Sequence, residues 1–511
     1  MGRAGCPTVF AFGPKLKEFT MSKTKLADQA IFVMISKFFE SISLLALAMI
    51  LTRKMNLTDY GTYQQVMLIC ITISIFIAFG LPDSIYYFLP RTENKKRFLL
   101  RTLLLLNLLG IVTTIVIIAI RNPLGQWMNN PRLAELALIF GFYFIGLASY
   151  QMLDSTFLSL GKGKSLALVS VIFSVLFFLC VSIPVFLGMP MKGILISILV
   201  YYFAQATFLV IFVLKLPGEL GDLRKGRTLG EQLKYSAPVG GSQLSGSLAR
   251  AVDRFVISFF YAPKDYAIYD RGAMQLPFVN IFAYTLGGVL LPKYVEFYKE
   301  GKTEEVLKLW HESIRQVALI MFAIFSLCFF FAREVITVLF TDAYLASTSI
   351  FKIYLLLLPI QITAYGSILR ATKNTKHILY VTLMELTLNL SLSLILVKFM
   401  GSRGPAVATI LTRFSGVSYY LLVIKNVLKV DIKGVFPWKV LLKEFAVAFA
   451  CGWLIYFLAA YQASGLGKLL LVGSAYAAVY IGSLKLLKML TPRDEQIIRR
   501  WVTLKAIFGG G

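Results

Sequence analysis

Histidine is almost absent from this chain, with two in 511 residues, and cysteine is nearly as scarce, with five. His311 and His377 lie far apart in sequence, and Cys70, Cys180, Cys328 and Cys451 each fall in a different apolar stretch, with Cys6 near the N-terminus. Neither metal-ligand spacing nor a disulfide framework can be built from such a set, so no metal and no cofactor is expected. Charge is also sparse: 15% of residues, where about 25% is usual in soluble domains. No Ser/His/Asp set suited to nucleophilic catalysis occurs. Gly161-Lys162-Gly163-Lys164 lacks the strand–loop–helix setting and the glycine spacing of a phosphate loop. The longest polar stretches, 215–235 and 292–313, leave no room for a soluble domain. These absences speak against an enzyme.

Apolar sequence fills the chain instead. Hydrophobic residues make up 58% of it, and mean hydropathy is +0.74. A spanning helix needs about 20 apolar residues, and the pattern predicts an all-α integral membrane protein with about fourteen spans, from 27–52 to 468–488. The net charge of +26 would suggest nucleic acid in a soluble protein. Here it resolves into an asymmetry of connections, and no nucleic-acid partner is expected. Alternate connections carry 36 Lys or Arg on one side and 10 on the other. Basic loops stay in the cytoplasm, so both termini are placed there.

The chain repeats at an offset of 206–212 residues. Asp59-Tyr60-Gly61-Thr62-Tyr63 is answered by Asp265-Tyr266-Ala267-Ile268-Tyr269, and the Lys-rich turn at 160–164 by 372–376. Six spans per repeat is an even number, so the halves share orientation and a central site between them is expected. The reading is a tail (1–26), a first six-helix bundle (27–214), a linker (215–235), a second bundle (236–424), a loop (425–439), two additional helices (440–488) and a C-terminal tail (489–511).

Six basic residues, Lys37, Arg250, Arg254, Arg271, Lys352 and Arg413, lie inside apolar segments, where each costs about 2.5–3.5 kcal/mol on insertion scales. Such residues face a bundle interior or a watery cavity, and fixed positive charge there suits an anionic substrate. Arg250 and Arg254 share a helix face, and a guanidinium fork matches phosphate oxygens. Arg413 has no acid at helical spacing. Lys37, Arg250, Arg254 and Arg413 are therefore the candidate substrate-binding residues. Arg271 and Lys352 sit near span ends and are read as snorkelling. Six acids, Glu40, Asp83, Asp154, Asp253, Asp270 and Glu385, balance the six bases. Glu40, Asp253 and Glu385 are the candidate carriers of a coupling ion. Lys37 with Glu40 and Arg250 with Asp253 can equally pair internally.

Several segments are familiar. Leu51-Thr52-Arg53-Lys54-Met55 running into Asp59-Tyr60-Gly61-Thr62-Tyr63 resembles the loop after the first helix of polysaccharide-export flippases, in the multidrug/oligosaccharidyl-lipid/polysaccharide exporter superfamily. Asp253-Arg254-Phe255-Val256-Ile257 resembles its second-half signature. Leu339-Phe340-Thr341-Asp342-Ala343-Tyr344 resembles another family loop, where Gly is more usual at Thr341. The resemblance implies a flippase of the bacterial inner membrane for a polyprenyl-diphosphate-linked oligosaccharide of O-antigen, capsule or exopolysaccharide type. It also implies alternating access, coupling to a proton or sodium ion, and contact with membrane lipid and with other polysaccharide-assembly membrane proteins. A multidrug cation antiporter and a lipid II flippase are rivals within the superfamily. A membrane polymerase or glycosyltransferase is a rival outside it, disfavoured by short outer connections.

Overall fold

The computed structural model describes residues 23–219, 229–276, 279–459 and 465–491, without the side chains of 23–31 and 279–286. Most of the two expected tails, Cys6 and the middle of the 215–235 linker lie outside the described residues. No strand occurs among the described residues. The first half contains α1 (Lys23–Lys54), α2 (Leu57–Ala78), α3 (Leu81–Phe88), α4 (Lys95–Ala119) and α5 (Arg121–Trp127). The broken run α6 (Arg132–Phe140), α7 (Tyr143–Tyr150) and α8 (Leu153–Ser159) follows, then α9 (Gly163–Phe186) and α10 (Met191–Leu214). The second half contains α11 (Leu229–Phe260), α12 (Pro263–Gly272), α13 (Val279–Lys299), α14 (Thr303–Phe330), α15 (Ala332–Phe340), α16 (Ser347–Leu355), α17 (Gly366–Ala371), α18 (Lys376–Met400) and α19 (Gly404–Leu428). The short α20 (Ile432–Val435) leads to α21 (Trp438–Leu458) and α22 (Leu466–Leu486).

Each of the fourteen apolar segments falls on a helix or a broken series of helices. Among the described residues, nine helical stretches are long and apolar enough to cross a membrane, one of them the α18–α19 stretch Lys376–Leu428. The bent run from Arg132 to Ser159, kinked by 52°, makes a tenth. Of the remaining segments, α11 carries Ser, Gly, Arg and Asp where lipid-facing helices carry Leu and Val, α12 is only ten residues long, and 346–369 is divided between α16 and α17. Broken or polar helix inside a membrane is tolerated where protein or a cavity surrounds it.

Packing follows the internal repeat. α1 lies along α9, and α11 lies along α18, six spans later. The two copies of the Asp-Tyr motif form the contact between halves. α2 packs on α12, and Tyr60, Tyr63, Tyr266 and Tyr269 are all buried there. Gly61 permits that approach, since a Cβ at this position would lie 1.8 Å from the Pro263 carbonyl oxygen. Small residues bring helices together in lipid, where tails offer no hydrophobic gain. Gln65, fully buried on α2, donates to Ser258 Oγ at 2.7 Å; such interhelical bonds average about 0.6 kcal/mol in a membrane.

A second close approach lies at the other end of α2. The helix stops at Phe79 and Gly80, both in the left-handed region, and Gly80 backs onto α11, where a Cβ would meet the Ser236 carbonyl oxygen at 2.5 Å. Only glycine supplies both the positive φ and the space. α11 itself runs unbroken through Pro238. On the side with few basic loops, Arg53 at the end of α1 reaches across the halves. It donates to the carbonyls of Val338 at 2.5 Å and Leu339 at 2.7 Å. These are last-turn carbonyls of α15, which lack helical partners and attract a cation. α15 ends at Thr341 with φ 80° and ψ 169°, a region almost confined to glycine.

Candidate functional site

A cavity of about 660 Å³ opens between the halves. α1, α2, α7, α9 and α10 form most of its wall. The second half contributes Arg254 from α11, Asp270 and Arg271 from α12, Met274, Gln275 and Leu276 from the segment after α12, and Leu339 from α15.

The charged part of the wall is a triad. Arg254 Nε donates to Asp270 Oδ1 at 2.9 Å, and Arg271 Nη2 donates to Asp270 Oδ2 at 2.5 Å. Arg254 Nη2 also donates to the Ala273 carbonyl at 3.1 Å. The Arg271 guanidinium lies between the rings of Tyr60 and Phe340, at 5.4 and 5.3 Å from their centroids. Two guanidinia share one carboxylate, so the triad taken alone carries one net positive charge, with the buried Asp253 carboxylate close to Arg254. Such rigid planar cations bind phosphate bidentately. The break after Gly272 turns α12 short of a full span and leaves Asp270 and Arg271 in the interior. Arg271 therefore lines the cavity instead of snorkelling. The adjacent pair Asp270-Arg271 before Gly272 and Pro277 was the sequence signal for this.

A second cluster, of reversed sign, reaches the first-half wall of the cavity through Glu40. Lys37 Nζ lies 3.2 Å from Glu40 Oε2 and 3.3 Å from Asp154 Oδ2. Lys37 and Glu40 pair as their spacing suggested, and α8 adds a second carboxylate. One ammonium between two carboxylates leaves one net negative charge. Glu40 lines the cavity.

The other candidates are placed elsewhere. Asp253 is 1% exposed and does not pair with Arg250. Its Oδ2 accepts the Tyr269 hydroxyl at 2.9 Å and the Tyr354 hydroxyl as well, while Oδ1 has no hydrogen-bond partner. Arg250, one turn away on α11, donates to Ser247 Oγ at 2.9 Å and stands near Glu385. Arg413 Nη1 donates to Glu385 Oε2 at 2.8 Å, joining α19 to α18. Neither Arg250, Asp253, Glu385 nor Arg413 is among the residues lining the large cavity. Lys352 lies over the Phe329 ring at 5.2 Å. Among the described residues, no three His, Cys, Asp or Glu side chains are grouped to hold a metal ion.

The fold and the central cavity define a polytopic α-helical membrane protein. A family model described as polysaccharide biosynthesis protein matches residues 50–349. The chain belongs to that family. It is 24% identical over 416 residues to an uncharacterised membrane protein of Methanocaldococcus jannaschii, a match covering 76% of this chain and 95% of the relative. Its structure is similar to that of the lipid II flippase MurJ in an inward closed conformation, with TM-score 0.73 and 16% identity, over 90% of this chain and 99% of that one. It is also similar to an inward-facing multidrug resistance MATE transporter, with TM-score 0.60 and 16% identity, over 78% and 99% of the two chains. A MOP-superfamily transporter from Pyrococcus furiosus matches with TM-score 0.56 and 16% identity, over 80% and 96%.

Proposed function

We propose that this protein is a flippase that carries a polyprenyl-diphosphate-linked oligosaccharide from the inner to the outer leaflet. The observation that carries this reading is the Arg254–Asp270–Arg271 triad, a net positive charge held on the wall of a cavity between two halves. The diphosphate meets Arg254 and Arg271, the sugars occupy the cavity, and the lipid tail stays in the bilayer. Rocking of the halves about the α2–α12 contact would expose the cavity to each side in turn. Membership of the polysaccharide biosynthesis family supports a saccharide cargo. The basic connections are assigned to the cytoplasm. The bundles 27–214 and 236–424 are assigned as the moving halves.

Within this reading the remaining candidates take definite roles. Lys37 holds Glu40, which lines the cavity, together with Asp154. Arg413 neutralises Glu385, which removes that carboxylate from service as an ion carrier. Asp253 and Glu40 remain as candidate sites for a coupling proton or sodium ion. The superfamily fold also suits a lipid II flippase or a drug antiporter, and two guanidinia on the cavity wall, whose forks match phosphate oxygens, favour an anionic over a cationic cargo. The test is reconstitution in liposomes with a fluorescent polyprenyl-diphosphate oligosaccharide, using an impermeant reductant to count probe in the outer leaflet. Protein-dependent bleaching beyond the outer-leaflet fraction supports the reading. Bleaching equal to that of empty liposomes refutes it.

A further inference from the structure

The first-half wall of the cavity differs in kind from the arginine wall. It presents amides, hydroxyls and rings: Gln64 from α2, Tyr150 from α7 and Gln151 just after it, Phe177 from α9, and Tyr201 and Gln205 from α10. Gln205 is 2% exposed, and its Nε2 donates to the Tyr201 hydroxyl at 2.7 Å. The phenol accepts that bond and keeps its own proton to donate. Gln205 Oε1, in contrast, has no hydrogen-bond partner. A buried acceptor without a donor is costly, and a ligand N–H or O–H would satisfy it. The pair therefore offers one donor and one acceptor, one helical turn apart. Phe177 packs against Tyr201 at 5.0 Å between centroids and steadies the phenol.

We infer that the Tyr201–Gln205 pair is a sugar-reading subsite, selecting an uncharged, N-acetylated or hydroxyl-rich sugar. This rests on the flippase reading and names the cargo more closely. An acetamido group carries an N–H and a carbonyl, the complement of Gln205 Oε1 and Tyr201 O–H. Acidic sugars are disfavoured there, because the Lys37–Glu40–Asp154 cluster leaves one net negative charge on the same half of the protein. The cavity wall thus offers guanidinia for phosphate and hydrogen-bonding amide and phenol groups for sugar. Sites built to pair a polar group reject analogues that leave it unpaired.

The test uses purified protein in nanodiscs and three fluorescent probes: polyprenyl diphosphate, the same lipid bearing N-acetylglucosamine, and the same lipid bearing glucuronic acid. In the wild type, the N-acetylglucosamine probe is expected to bind about tenfold tighter than each of the others, the loss of one paired polar group. In Gln205→Leu and Tyr201→Phe, the ratio of N-acetylglucosamine to sugar-free affinity should fall towards one. In Arg254→Ala both probes should weaken together, with that ratio kept. Equal binding of the sugar-free and N-acetylglucosamine probes in the wild type overturns the subsite while leaving the flippase reading intact. Tighter binding of the glucuronic acid probe overturns it too. Failure of all three probes to bind overturns the flippase reading and the subsite with it. The wild-type comparison needs no variant to fold.

Discussion

Changing the charge of the triad in opposite directions should change anion affinity in opposite directions. In Arg254→Ala, Asp270 keeps Arg271 as its partner at 2.5 Å and the charge of the triad itself falls from one to zero. In Asp270→Asn, the shape is kept and that charge rises to two. A unit charge about 5 Å from a phosphate is worth about 3 kcal/mol at an effective dielectric near 20, and cavity water reduces this to about 2 kcal/mol, roughly 30-fold in affinity. Arg254→Ala should therefore weaken polyprenyl diphosphate binding about 30-fold, and Asp270→Asn should tighten it by a similar factor. Stability moves differently. Asp270 is 8% exposed at its side chain, and its loss strips both guanidinia of their carboxylate, which costs about 3 kcal/mol. Part of that is offset because Arg254 keeps the Ala273 carbonyl and Arg271 keeps the Tyr60 and Phe340 rings. Thermal unfolding establishes that each variant is folded, and a fluorescence titration at fixed ionic strength reads the affinity. If both variants weaken binding, or neither changes it, the triad is a structural knot and the anion binds elsewhere.

Arg413→Ala should act on stability more than on cargo. It leaves Glu385, 7% exposed, without its hydrogen-bonded guanidinium and with only the nearby Arg250, a loss of about 1–3 kcal/mol in thermal unfolding, and the double variant Glu385→Gln/Arg413→Met should recover most of it. Thr341→Gly should raise stability by about 1–2 kcal/mol, because glycine adopts φ 80° and ψ 169° without strain; an unchanged or lower melting temperature contradicts the strain assignment. Arg53→Ala removes the cation from the end of α15. A cysteine placed at Gln64 in the cavity wall should then react faster with an impermeant maleimide added from the side of the 53–60 connection, whereas equal rates would show that Arg53 does not hold that side closed.

The fourteen apolar segments and the Asp-Tyr repeat were legible because membrane helices and tandem motifs are local patterns. The repeat even marked the contact between halves, since Tyr60 and Tyr266 are buried at the same α2–α12 contact. The site was harder to read. Helical spacing put Arg250 and Arg254 on one face, but only Arg254 lines the large cavity. Arg271 near the end of the apolar segment 267–290 predicts a snorkelling side chain, but the break between α12 and α13, which local hydropathy does not mark, leaves it on the cavity wall. Arg413 looked unpaired because its acid, Glu385, lies on another helix and 28 residues away. Asp253 found two tyrosine hydroxyls, on α12 and α16, in place of the arginine three residues before it. Pairings across helices depend on packing, and local spacing does not encode them.

The most direct test compares two cargoes in the same proteoliposomes: a fluorescent polyprenyl-diphosphate oligosaccharide and a cationic dye. Wild-type protein is expected to move the lipid-linked oligosaccharide, recovered with unchanged mass, and to leave the dye in place, while an Arg254→Ala/Arg271→Ala variant that remains folded should move neither. Dye efflux without lipid translocation, or a product of altered mass, would contradict the account.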